Sequence, residues 1–232
     1  MISKIYTTSL GAIAIASSVF FGAINNFAQA ATLDFEGLPS TTLPTNTPNP
    51  ASVLTDDFIS QGVRFGKPGE SAGVAVVKEG FGLGSGSGVN SIVALDKDGK
   101  IPPIVTGDMF FSFVQPGSLT AAVTDFVSFN IGDTGGDLDN YQIRVYDLAD
   151  SLINTLNFSN TNRFPVSINL PGIHRLEIDF TGAFGYSLDD LTFNTPTNNN
   201  QSVPEPTSVL GLLALGGLGA ATLKRKQSKQ CA

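Results

Sequence analysis

The sequence predicts an all-β protein, a single β-sandwich domain flanked by an apolar helix at each terminus. Two observations carry the sandwich. Short runs of alternating apolar and polar residues recur between turn signals, and no window of a dozen residues in the middle of the chain keeps a helical period without an interrupting Gly or Pro. A third observation carries the two helices, because the chain begins and ends with uncharged apolar stretches.

At the start, Lys4 is the only charge before Asp34, and Leu10 to Phe21 is almost wholly apolar or small. These are the n-region and h-region of a signal peptide. Ala28-Gln29-Ala30 supplies the small-x-small pattern of a signal-peptidase site, so residues 1–30 are read as a leader that engages the Sec export machinery and is cut before Ala31.

Residues 31–193 form the sandwich. In Asp125 to Ile131, Val127, Phe129 and Ile131 share one face while Ser128 and Asn130 share the other, which is a strand with one buried side. Gly172 to Phe180 repeats the pattern, with Leu176, Ile178 and Phe180 inward and Arg175, Glu177 and Asp179 outward. Similar runs are Thr32 to Glu36, Gly62 to Phe65, Ala75 to Lys78, Ser91 to Leu95, Met109 to Val114, Tyr141 to Asp147, Leu152 to Phe158, Val166 to Leu170 and Tyr186 to Phe193, about eleven strands in all. Pro39 to Pro50 reads as a long polar loop and Gly80 to Gly88 as a glycine and serine loop, while residues 194–202 form a polar linker.

Five of the 13 basic residues (Lys4, Lys224, Arg225, Lys226, Lys229) and one of the 20 acids (Glu205) lie in the end segments. The domain keeps eight basic against nineteen acidic residues, a net charge of −11. That surface argues against nucleic acid or anionic lipid as partner and fits an exported protein or a cation binder. The single cysteine, Cys231, lies in the tail, so the exported domain has no disulfide and depends on core packing, helped by any bound metal.

Enzymatic templates are poorly represented. The Gly80 to Gly88 loop contains no G-x-G-x-x-G, Walker lysine or G-x-S-x-G. One histidine, His174, and no domain cysteine exclude the usual zinc sites and Cys-His catalysis, and His174 reads as a core-edge residue. A glycosidase needs only two carboxylates, and nineteen are too many to choose among. Sugars stack on exposed aromatics; the chain has no Trp, and of Tyr141, Tyr146 and Tyr186 only Tyr146 reads as exposed.

Two acidic groups invite a cation. In Ser187-Leu188-Asp189-Asp190-Leu191-Thr192-Phe193, Asp189 shares parity with Leu191 and Phe193, so it points the same way as they do and needs a cation, donors or a rim position. The acidic first strand, Leu33-Asp34-Phe35-Glu36, and this final strand resemble the jelly-roll, galactose-binding-like domains of secreted bacterial proteins. That resemblance implies a structural calcium near the terminal strands, with Glu36, Asp189 and Asp190 as candidate ligands. The alternative is that Asp189 and Asp190 only hydrogen-bond backbone amides. The second group, Gly132 to Asn140 with Asp133, Asp137 and Asp139, reads as a turn in preference to a calcium loop. Asp96 to Lys100 begins like an EF-hand but places Lys100 at a ligand position and is rejected.

The tail sets the destination. Val203-Pro204-Glu205-Pro206 is a stiff extended spacer. Thr207 to Leu223 carries no charge, and its seventeen residues would cover roughly 25 Å as a transmembrane helix. Lys224, Arg225 and Lys226 then stop transfer and stay cytoplasmic. This order, over residues 203–232, resembles the PEP-CTERM sorting signal. The resemblance implies processing by an exosortase, a transient stay in the inner membrane, and a final place at the cell surface or in the extracellular matrix. It also implies a link to exopolysaccharide. The expected function is accordingly a non-catalytic structural or adhesive component, with a calcium-stabilised carbohydrate-binding module or a carbohydrate-active enzyme as alternatives.

Overall fold

The computed structural model describes residues 29–198 apart from 81, 85 and 183. Its twelve strands are β1 (Ala30–Leu33), β2 (Val53–Leu54), β3 (Val63–Phe65), β4 (Val74–Lys78), β5 (Asn90–Ala94), β6 (Met109–Phe113), β7 (Thr124–Gly132), β8 (Asp139–Tyr146), β9 (Leu152–Asn160), β10 (Phe164–Ile173), β11 (Arg175–Thr181) and β12 (Ser187–Asn194). Helix among the described residues is limited to two 3-10 turns, Pro50–Ser52 and Pro103–Val105. None of it is long and apolar enough to cross a membrane. The leader helix and the span at 207–223 lie outside the described residues.

The strands form two antiparallel sheets packed face to face. One runs β10-β7-β12-β5-β4-β2, with β1 added alongside the second half of β12; the other runs β3-β6-β11-β8-β9. Alternation explains the pairing: Val127, Phe129 and Ile131 of β7 face Leu176, Ile178 and Phe180 of β11 across one apolar core. Phenylalanines tile that core edge to face, Phe111 meeting Phe113 and Phe129 at centroid distances of 6.1 Å.

The expected parity of β12 does not hold. Asp189 pairs with Asn130, whereas Phe193 pairs with Val127, and the register shifts between Asp189 and Thr192. Asp190, at φ 54°, is the extra residue of a bulge. Asp189 therefore lies on the face opposite Leu191 and Phe193, outside the main core. That outer face is covered too. Ala75, Val77, Val93 and Leu95 build a second apolar cluster with Leu83, Ile101 and Val105, against which Leu43 packs. Pro39 to Pro50 is thus a cover and more than a polar loop: Thr41 bridges to Val77 and shares a buried hydroxyl pair with Ser52 at 2.7 Å.

The first and last strands set the poles of the sandwich. Ala30 pairs with Asn194, so both chain ends leave at one pole. At the other end of β12, Ser187 pairs with Gly132. The β7–β8, β9–β10 and β11–β12 loops gather at this second pole.

Candidate functional site

The glycine and serine loop between β4 and β5 lies as a strap over the outer face of β12, and carboxylates pin it there. Glu36 Oε1 accepts the backbone N–H groups of Val89 and Asn90, both at 2.9 Å. Asp189 Oδ2 accepts those of Gly86 at 2.6 Å and Ser87 at 3.1 Å, and its Oδ1 accepts the N–H of Asp190 at 2.8 Å. Asp190 Oδ2 accepts the Asn130 amide at 2.8 Å. A side chain at Gly86 would crowd the Asp190 carboxylate and the Asn130 amide, which would have to shift to admit it. Burial pushes the Asp189 carboxyl above the ordinary range, opposed by the amides that hydrogen-bond it.

Further along, the Arg163 guanidinium donates to the Gly84 carbonyl, the Ser187 hydroxyl and, at 3.3 Å, the Asn130 carbonyl. Burial lowers its pKa while Asp189 and Asp190 oppose that shift. Thr134 completes the fastening, its N–H and hydroxyl both donating to the Gly82 carbonyl, at 2.7 and 2.8 Å.

The strap ends at a pocket of about 330 Å³ at the second pole, walled by Leu83, Ile104, Val105, Phe184 and, on one side, Asp133 and Gly135. Phe184 and Ile104 are 57% and 49% exposed at its rim. Ile104 and Val105 are consecutive β-branched residues at φ 60° and 57°, a conformation that costs of order 1–3 kcal/mol per residue. Gly185 holds them: a Cβ there would stand 2.5 Å from that of Val105 and collide with the Ile104 carbonyl. The next residue, Tyr186, donates its N–H to the Val105 carbonyl at 3.3 Å and its hydroxyl to Gly107 O at 3.0 Å.

Beside the pocket stand Asp133, Asp137 and Asp139. Asp133 and Asp139 are 2% and 1% exposed. Asp133 Oδ1, both carboxylate oxygens of Asp137 and Asp139 Oδ1 have no hydrogen-bond partner in the protein. Asp139 Oδ2 accepts the Tyr141 hydroxyl at 3.1 Å. Burial, then the nearby Asp133 charge, push the Asp139 carboxyl up to about 6. Burial likewise raises Asp133, against a hydrogen bond from the Gly135 backbone.

The structure therefore brings Glu36, Asp189 and Asp190 to one strap, where Glu36 and Asp189 accept backbone amides and Asp190 accepts the Asn130 side-chain amide. Among the described residues no group of three or more His, Cys, Asp or Glu side chains is placed to hold a metal ion. Tyr141 and Tyr186 are buried, and Tyr146 lies under the Arg175 guanidinium with its hydroxyl on Glu177 at 2.9 Å, so none offers a free platform. His174 Nδ1 bonds the Ala122 carbonyl at 2.8 Å, the structural role expected of it. The pocket residues Ile104, Val105 and Phe184 escape sequence reasoning. The one local signal is Phe184 set among the glycines of Gly182 to Gly185, where a bulky ring has no strand to belong to. Val203, Pro204, Glu205 and Pro206, with Lys224, Arg225 and Lys226, lie outside the described residues.

For that tail, comparison with protein families supplies the decision: the model of the PEP-CTERM protein-sorting motif matches residues 202–226. The chain carries a PEP-CTERM sorting motif. It is accordingly directed to exosortase-dependent export and held in the membrane transiently before processing. No curated protein matches the chain. Among solved structures, the enzymatically active domain of bacteriophage CBA120 tailspike protein 4 is similar over 63% of this chain and 22% of its own, at 14% identity and a TM-score of 0.30. The chain thus spans less than a quarter of that tailspike's length.

Proposed function

We propose that the protein is a non-catalytic component of the cell surface or extracellular matrix, a jelly-roll-like module that serves a structural or adhesive role in the exopolysaccharide layer. The observation that carries this reading is polar geometry. Both chain ends leave beside Ala30 and Asn194, and the loop-built pocket lies at the opposite end of β12. A module tethered by its C-terminal segment would present that pocket outward, with Phe184 and Ile104 at the rim as the apolar surface for a sugar face or a neighbouring polymer.

The absence of catalysis is part of the proposal. A glycosidase holds two carboxylates facing across an open cleft, whereas Glu36 and Asp189 here are engaged by backbone amides. A calcium-stabilised carbohydrate-binding module is the second reading, favoured by the acidic loop beside the pocket.

The test is co-sedimentation of the exported protein with the exopolysaccharide of its own host, in wild type and Phe184→Ala. Retention that drops several-fold in the variant supports the reading. Equal retention of both removes the pocket from it, and progressive release of reducing ends would replace it with an enzyme.

A further inference from the structure

We propose that the β7–β8 loop binds calcium between the carboxylates of Asp133 and Asp137, with Asp139 adding a third negative charge behind them. This site is distinct from the terminal-strand carboxylates and stands independently of the adhesive role.

The first support is the contrast between two sets of acids. The oxygens of Glu36 and Asp189 that hold the strap have donors. In the loop, four buried carboxylate oxygens have none, on residues as enclosed as Asp133 and Asp139. A turn built on aspartates would spend those oxygens on nearby backbone amides. Here the Gly135 amide meets Asp133, which leaves the four unexplained. The nearby cation, Arg163, directs its terminal N–H groups to Gly84, Ser187 and Asn130, and its Nε, itself without a partner, makes no hydrogen bond to these carboxylates. Uncompensated buried carboxylates are costly, and a bound cation removes that cost.

The second support is the shape of the backbone around them. A Cβ on Gly135 would stand 2.7 Å from Asp133 Oδ2 and 2.9 Å from Asp137 Oδ1, so both carboxylates close on the same bare α-carbon. Gly182 plays the same part for Asp139, whose Oδ1 a side chain there would strike. Any larger residue would fill the space that brings the acids together.

The donor set selects the ion. Oxygen ligands alone, without nitrogen or sulfur, suit a hard cation. Calcium takes six to eight oxygens and accepts carbonyls and water beside carboxylates, so two aspartates would supply part of its shell and backbone carbonyls and water the rest. Extracellular modules of this kind bind with Kd values of roughly 0.1 to 1 mM.

Terbium, a luminescent substitute for calcium, provides the test, because Tyr141 bonds Asp139 and the chain has no Trp to compete as sensitiser. The full chain in mild detergent is titrated with terbium under excitation of tyrosine, then with calcium. The expected result is sensitised emission displaced by calcium, reduced about tenfold or more in Asp137→Asn and Asp133→Asn, and retained in Glu36→Gln. Calcium should also raise the melting temperature of wild type but not of Asp137→Asn. Melting in chelator verifies that each variant is folded, and either variant suffices if the other does not fold. Emission absent from wild type, unchanged in both loop variants, or lost in Glu36→Gln instead would overturn the site. None of these outcomes bears on retention by exopolysaccharide in chelator, which tests the surface role separately.

Discussion

The carboxylate of Asp189 reaches across 103 residues of sequence to accept the backbone N–H of Gly86 at 2.6 Å. Through this bond and its bond to Ser87, Asp189 fastens one segment of backbone to another. Asp189→Ala removes the shared acceptor of the Gly86, Ser87 and Asp190 N–H groups together. Lost bonds to a charged acceptor cost about 1.5–3 kcal/mol, part of which water recovers at a surface loop. Urea unfolding should show a loss of about 2 kcal/mol, and hydrogen exchange at Gly86 and Ser87 should quicken.

Glu36 pins the base of the same strap through one oxygen. Glu36→Gln can keep that acceptor, so stability should change by less than about 1 kcal/mol. Glu36→Ala cannot, and exchange at Val89 and Asn90 should rise while amides in the middle of β7 stay protected.

Gly185→Ala drives a methyl into Val105 and the Ile104 carbonyl. Overpacking of this kind costs about 1–3 kcal/mol. The variant should melt at lower temperature and lose pocket-dependent binding together, whereas Phe184→Ala should lose binding with little effect on melting.

On the outer face of the second sheet, Glu177 is 3% exposed and meets Lys67 at 2.7 Å, Arg144 at 3.3 Å and Arg175. Its outward direction is legible from alternation, but its burial beneath three cations is not. Glu177→Gln leaves those cations without their shared anion and should cost about 1–3 kcal/mol in urea unfolding. Because the carboxylate is buried, added salt should reduce that difference only slightly.

Most strands are legible because one buried face imposes a period of two, as in Val127, Phe129 and Ile131. β2 is not, since Val53–Leu54 is too short for any period. Asp189 is misread for a different reason: a bulge is one residue of backbone, and the only local hint is the tolerance of aspartate for positive φ at Asp190. The strap and the pocket depend on contacts between segments far apart in sequence, such as Gly82 with Thr134 and Gly185 with Val105. Local pattern carries no information about them. The acidic loop was visible as a cluster, but only the packing reveals which of its oxygens lack donors.

The placement of β12 also has a mechanical meaning. It leads directly to the C-terminal attachment segment, and it lies between β7 on one side and β5 and β1 on the other. Tension transmitted from the outward pole to the anchor would run along this strand and load its flanking hydrogen bonds in shear, many at once, rather than peeling them apart singly. For the adhesive role proposed above, a bound polymer would hang from a strand paired on both sides.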